Sequence, residues 1–398
     1  MTLIITGKQV NPVGDAQITY GITSTGGVFN LRSTGTVDYE VEWGDGTVER
    51  STSNVLAHTY AAGSYVLKIR TSQQYVPSFN NSTDEDQITS VALVSDLDVG
   101  STLLNAWFGA NNITSFDAAF GVTAGVTNFI QAWTNCTNLT SFSLIDTSSG
   151  ETFTGAWQSC TNLANFPLID TSSGISFNNT WLNCTNLTSF PLIDTSSGTD
   201  FRQTWSNCFN LTSFPLLDMS RGTSLQSAWQ NCRGLTTFPV LNISRGTNFN
   251  STWRNCSGLT SFPLIDTSSG TNFAYTWAGC TGLTSFPLID VSSGNNFRNA
   301  WYNCNQLTTF PANFFDSWTG TPANNCFVQA WDVCTSLTAT SVENILNSID
   351  TSGQSAPASG VDITIDYNAA SGTPDISTAV SNLKSRNWTI TLNGVLQP

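Results

Sequence analysis

Carboxylates, thiols and guanidiniums are the groups in this chain that could do chemistry, and each kind follows a pattern. Asp146, Asp170, Asp194, Asp218, Asp266 and Asp290 recur in one phase, most of them directly before Thr-Ser-Ser-Gly. Two acids held roughly 5 to 9.5 Å apart suffice for glycoside hydrolysis, and a ladder of acids is one way to hold calcium. Calcium, however, needs several oxygens converging on each ion, and one carboxylate per repeat is sparse. Asp and Ser bond nearby backbone amides and Gly tolerates positive φ, so the segment is expected to be a repeated turn. An active site is normally an exception within a repeat, which sets this column apart from catalysis.

His58 is the only histidine, so no His-dependent triad, acid/base pair or His-rich zinc site can be assembled. A P-loop, a dinucleotide-binding glycine motif, a nucleophile elbow and paired C-x-x-C motifs are all missing from the sequence. The expectation is a protein with no catalytic residues, no cofactor and no bound metal.

The thiols point to structure. Cys136, Cys160, Cys184, Cys208, Cys232, Cys256, Cys280 and Cys304 are spaced by 24 residues, and Cys334 ends the series. Three residues before each of the first eight stands a tryptophan: Trp133, Trp157, Trp181, Trp205, Trp229, Trp253, Trp277 and Trp301. Only stacked, equivalent coils preserve such a phase. A thiol at one inward position of every coil behaves as a small apolar group, and neighbouring side chains in a ladder lie side by side rather than facing. Buried thiols are therefore expected, with Cys326, which breaks the phase, left able to pair with another cysteine.

One unit, residues 259–282, reads LTSFPLIDTSSGTNFAYTWAGCTG. Leu259, Phe262 and Leu264 match the L-x-x-L-x-L strand spacing, which predicts an inward-facing strand. Pro263 cannot donate to a ladder and limits that strand to about four residues. Phe273, Trp277 and Cys280 fall at i, i+4 and i+7, which predicts a short helix or 3-10 segment with all three inward. Thr260 and Ser261, with Pro263 and Ile265, are left for the exposed face of the sheet, the default binding surface of such an array.

Core columns are fixed by packing, so only deviating exposed positions can specify a partner. Arginine is the main deviant: Arg202, Arg221, Arg233, Arg245, Arg254 and Arg298 all lie in the middle and later coils. Arg221 and Arg245 hold the same place in adjacent coils, where like charges about 5 Å apart repel. The pair is expected to be neutralised by Asp218 and its neighbours, the alternative being an anionic partner.

The pattern W/F-x-x-C-x-x-L-x-x-F-P resembles the BspA-like leucine-rich repeats of bacterial and phage surface proteins, with Trp replacing the usual Phe, over residues 104–337. Residues 41–69 resemble a PKD domain through Trp43-Gly44-Asp45-Gly46, His58-Thr59-Tyr60 and Gly63-Ser64-Tyr65. The residues themselves give alternation at Val37, Tyr39, Val41 and Trp43, an Asp-Gly turn, and a second alternation at Tyr65, Leu67 and Ile69. The expected fold is β-rich: a leucine-rich-type solenoid of short parallel strands and short helical segments, behind an immunoglobulin-like (PKD-like) β-sandwich. Its expected parts are residues 1–75 (sandwich), 76–103 (linker and N-terminal capping coil), 104–339 (solenoid) and 340–398 (a cap alternating helix and strand).

Charge narrows the partners. The net charge of -14 opposes the counterion release that drives nucleic-acid binding. No run of about 18 apolar residues is present, so no transmembrane helix is expected, and the short apolar run near Leu3 to Ile5 lacks the basic flank of a secretory signal. The resemblance then implies a non-enzymatic protein of a virion surface or of the extracellular cell surface: a phage structural protein or an adhesin for host attachment. It would bind other virion or surface proteins, a host receptor or a surface glycan, with a homo-oligomer left open. The competing expectations are a polysaccharide-degrading enzyme on a parallel solenoid and a purely architectural virion scaffold.

Overall fold

The computed structural model describes residues 18–398 apart from 36, 80–84, 95–96 and 120. The apolar run at Leu3 to Ile5, and part of the acidic stretch in residues 76–87, lie outside the described residues.

Alternation builds the N-terminal module. Strand β1 (Ile18–Arg32) pairs antiparallel with β4 (Val55–Thr71) from Ile18 opposite Ile69 to Arg32 opposite Val55. Strand β2 (Tyr39–Glu42) pairs antiparallel with β4, and β3 (Val48–Ser51) pairs antiparallel with the other edge of β2. Between them Gly44 adopts φ +84, and a Cβ there would sit 2.6 Å from the Val66 carbonyl oxygen, so no other residue fits. His58 stacks on Trp43 with ring centroids 4.4 Å apart, and its Nε2 lies 2.8 Å from Asp45 Oδ2. Two bonds from Thr47 and one from His58 hold the Asp45 carboxyl down at about 2.

Among the described residues these strands belong to one sheet, ordered β3-β2-β4-β1-β5-β6-β7, which runs directly into the repeats, so the two separate sheets expected of a sandwich are not found, and part of the expected linker and capping coil is a strand of that sheet. The joining strand is β5 (Ile88–Leu93), antiparallel to β1 and parallel to β6 (Ser115–Ala118). β6 in turn pairs with the two-residue β7 (Ser141–Phe142). The ladder stops there for a chemical reason. Ser143 donates its N–H to Phe116 O at 3.1 Å, whereas the equivalent residue of the next coil is Pro167, which has none.

Beyond that point the 24-residue units stack as coils without regular strands. Parallel bridges link Thr102, Asn128, Thr152, Ser176, Asp200, Ser224, Asn248, Asn272 and Asn296 in sequence. The segment expected to be helical is instead a ribbon of turns. Phe129, Gln131, Trp133 and Asn135 donate to the next coil at 2.8 to 2.9 Å, while Ala132, Thr134 and Cys136 donate three residues back within their own coil. A helix would send every N–H along its own axis, so it could not tie coils together this way. Gln131 (φ +53) and Asn135 (φ +62) take the left-handed conformation, and the same four-residue step recurs along the stack at Asn179 and Asn183 and at Ser251 and Asn255. This repeated reversal, not helical periodicity, keeps Phe, Trp and Cys on one side.

The interior is a set of aromatic and thiol columns. From Trp133 to Trp301 consecutive indoles stack at 5.2 to 6.0 Å, and each meets the strand-side Phe of its own coil edge-to-face at 4.8 to 5.2 Å. The indole N–H groups of this column find no oxygen or nitrogen acceptor. Each thiol donates to the Trp carbonyl of the preceding coil, as Cys160 Sγ does to Trp133 O at 3.2 Å. All ten cysteines are buried and none forms a disulfide, Cys326 included; the pairing left open for Cys326 is not made.

The Thr-Ser-Ser-Gly turns are present, but the glycine has another reason than the one expected. Ser172 and Ser196 donate their N–H groups to Asp170 and Asp194 at 3.0 and 2.9 Å. The Ser172 N–H and hydroxyl together hold the Asp170 carboxyl below its ordinary value. The turn glycines do not adopt positive φ. A Cβ on Gly174 would instead lie 2.5 Å from Phe177 Cζ and 2.9 Å from Thr171 O, so close packing excludes a side chain. Gly258 is tighter still against backbone, with Arg233 O and Leu235 O at 2.5 and 2.7 Å from a built Cβ. Gly258→Ala is expected to cost about 1–3 kcal/mol in urea unfolding. Asn162→Ala, at the same place in an earlier coil, should change stability by less than about 0.5 kcal/mol; equal effects would contradict this packing account.

The far end closes as the sequence pattern predicts. Helix α1 (Ala339–Thr351), capped by Thr338, is followed by β8 (Val361–Ile365), α2 (Ser377–Ser385), β9 (Trp388–Leu392) and β10 (Val395–Leu396). Trp331 donates to Thr364 O at 3.3 Å, joining the last coil to β8. Among the described residues no helix is long and apolar enough to cross a membrane.

Candidate interaction face

The coils leave one regular face that the core does not use. Leu144, Leu168, Leu192, Leu216, Val240, Leu264 and Leu288 occupy the same place in seven successive coils and are each 52–65% exposed. The residue after each, such as Ile193 or Ile265, is buried. This reverses the expected orientation of Leu264 and Ile265. In five of the coils a three-residue turn accompanies it. Ile169, Ile193, Leu217, Leu241 and Ile289 each donate N–H to the proline oxygen two residues earlier, at 3.0 to 3.1 Å. Such a turn points its central residue outward and resets the phase, so the L-x-x-L-x-L match ends at the proline.

Across the face most coils present Thr and Ser, then the half-buried Pro, then Leu, then, past the buried Ile or Leu, Asp. Thr260 and Ser261 are exposed beside the aliphatic row, as expected. Thr284 Oγ1 and Thr308 Oγ1 donate to the preceding coil's carbonyls at 3.5 and 2.9 Å. On the other flank the Asp carboxylates are held by their own turns, and Asn242 replaces Asp in one coil with the same bond to Ser244, at 3.5 Å. A shallow recess opens at this replacement between Leu216, Asp218, Val240 and Asn242.

A row of this kind carries substantial unused burial. Fully burying an aliphatic side chain is worth ~1.5–3 kcal/mol, so covering seven that are about six-tenths exposed is worth on the order of 10 kcal/mol gross. Association itself costs roughly 4–15 kcal/mol. The row can anchor a partner but needs help from its flanks.

The six arginines divide by environment rather than forming one stripe. Arg202 pairs with Asp200 at 2.7 Å on the surface, a pair worth ~0–1 kcal/mol. Arg233 lies over Phe209 at 5.1 Å, and Arg254 and Arg298 lie over Tyr275 at 5.1 and 5.9 Å. Arg221 and Arg245 are exposed at the outer edge beyond the Asp row. Among the described residues neither forms an ion pair, so the expected neutralisation by Asp218 is not found: the Asp218 carboxylate instead accepts the Ser220 N–H at 2.9 Å.

The Trp and Cys columns contribute nothing directly to this face; all sixteen of those side chains are fully buried. They act by fixing the coil spacing, and with it the spacing of the outer rows. Among the described residues no three His, Cys, Asp or Glu side chains are grouped to hold a metal ion. No protein-family model matches the chain, and no curated protein sequence matches it.

Proposed function

We propose that this protein is a non-enzymatic interaction protein of a virion or cell surface, built as a BspA-like, leucine-rich-type solenoid. An immunoglobulin-like, PKD-like module would attach it to a carrier structure, and the coils would engage a host receptor, a surface polysaccharide or a neighbouring subunit. The observation that carries this reading is the row of seven exposed aliphatic side chains in register on an otherwise closely packed stack. Monomeric soluble proteins rarely expose contiguous apolar patches of this kind unless something covers them. The Asp column supports the same reading over hydrolysis, because all six carboxylates accept the N–H of the Ser two residues on and so hold their own turns.

The test is binding of the purified protein to intact candidate host cells and to purified surface glycans, with a released-sugar assay alongside. Saturable binding with no sugar released is the expected result. A double variant, Arg221→Ala with Arg245→Ala, reports whether the outer edge takes part. Release of sugar would overturn the reading in favour of an enzyme, and absence of binding to every surface would leave the architectural role.

A further inference from the structure

We propose that the aliphatic row from Leu144 to Leu288, with the acidic row beside it, docks a basic amphipathic polypeptide segment: a helix or surface carrying a line of aliphatic side chains flanked by Lys and Arg. This deepens the interaction role above and rests on it.

Length, charge and chemistry select that occupant. Seven coils at a sheet spacing of about 4.8 Å make a row of roughly 30 Å, the length of a 20-residue helix. Asp146, Asp170, Asp194, Asp218, Asp266 and Asp290 run along one flank, interrupted at Asn242 and with Arg221 and Arg245 at its outer edge, while Thr and Ser on the other carry no charge. An apolar line bordered on one side by carboxylates is complementary to an apolar line bordered by cations, and charge complementarity supplies what the row alone lacks.

Other occupants fit less well. A second copy would bring another chain of net charge -14 to the same face, and an antiparallel packing of two such faces would set Asp against Asp. An anionic membrane would be repelled by the acidic row. A glycan would need a ring to stack on, and among the described large apolar side chains with marked exposure only Tyr302, at 36%, is aromatic.

The experiment uses the full chain and a fluorescein-labelled 20-residue peptide designed as an amphipathic helix with a Leu face flanked by Lys and Arg. Two control peptides keep the composition but scramble it, or keep the Leu face but carry Glu for Lys and Arg. Anisotropy titrations at 0.15 M salt should give at least tenfold tighter binding of the basic amphipathic peptide than of either control. Leu192→Ser with Leu216→Ser, at side chains each 63% exposed, should weaken that binding at least tenfold with an unchanged melting temperature. Asp194→Asn with Asp218→Asn keeps the turn acceptor, as Asn242 does, and should weaken binding about threefold while flattening its salt dependence.

Equal binding of the scrambled peptide would overturn the proposal by reducing it to charge attraction, and equal binding of the Glu peptide would remove the acidic row from it. A dimer in sedimentation that Leu192→Ser with Leu216→Ser dissolves would assign the row to a second copy instead. The same leucine variant is carried into the cell-binding assay. If the peptide fails while the parent protein still binds cells, the row is not the docking site and the interaction role stands. If both fail, the role itself falls.

Discussion

Trp229→Ala is expected to destabilise the protein by about 3–5 kcal/mol, measured as the shift in urea unfolding free energy. Trp229 is fully buried, stacked between Trp205 and Trp253 at 5.5 and 5.8 Å and met edge-to-face by Phe214 and Phe238 at 5.2 and 4.9 Å. Truncation leaves a cavity between coils that the neighbouring rings cannot fill, because each is fixed by its own column. The indole N–H has no acceptor, so the loss is of packing and not of a hydrogen bond. Trp229→Phe, which keeps a ring and removes that N–H, should therefore cost less than half as much. Arg221→Ala, at an exposed side chain with no ion pair among the described residues, should change stability by less than about 0.5 kcal/mol. If Arg221→Ala proved the more damaging, the inward and outward assignment of the coil would be wrong.

The second large effect concerns the thiols. In the native protein at pH 8 all ten cysteines should resist alkylation, and all ten should react once the chain is unfolded. Burial pushes the thiols of Cys184, Cys256 and Cys326 up to about 12. An ordinary cysteine titrates near 8.5, so at pH 8 the reactive thiolate is roughly a thousandfold scarcer before access is even considered. The sign is fixed by the cause: removing a thiol from water penalises its charged form, so reactivity should rise only at strongly alkaline pH or on opening. Mass spectrometry of partly alkylated protein checks this. Ready labelling of any one column cysteine in the folded chain would show that its coil is open. In a quasi-one-dimensional stack, opening should spread from coil to neighbouring coil.

Much of the architecture was legible because a repeat states the same fact many times. The 24-residue spacing of Trp and Cys gave the stack, the inward columns and the reduced state of the column thiols at once, since stacked equivalent units are the arrangement that keeps such a phase, but it left Cys326 open. The cap was legible for a different reason, as residues 340–398 return to ordinary helix and strand periodicities. The Asp turn could be read from Asp followed by Ser and Gly, whose local bonding needs no distant partner.

Tertiary structure alone decided the rest, wherever a local pattern has two readings that differ only in where the backbone bonds go. Phe273, Trp277 and Cys280 have helical spacing, but a run of turns with left-handed residues every fourth position gives the same side-chain alignment, and inter-coil hydrogen bonding selects it. Leu264 fits a strand motif, yet it is exposed and Ile265 is buried, the phase that a three-residue turn at the proline sets in five other coils. A sequence signal was available there: the alternation of Leu, Ile and Asp after the proline places Ile, not Leu, with the core. The glycine of each Thr-Ser-Ser-Gly turn is required by a Phe ring lying against it, partly from the neighbouring coil, and Arg233, Arg254 and Arg298 are drawn to rings of other coils. The sequence by itself thus determined the repeat, its core columns and the return to helix and strand after the last coil, because these follow from periodicity and burial. Which row faces outward, and therefore what the protein can touch, was decided by how the backbone turns after the strand Phe, while the bonds that hold the ribbon of turns run between coils and lie in no single 24-residue unit.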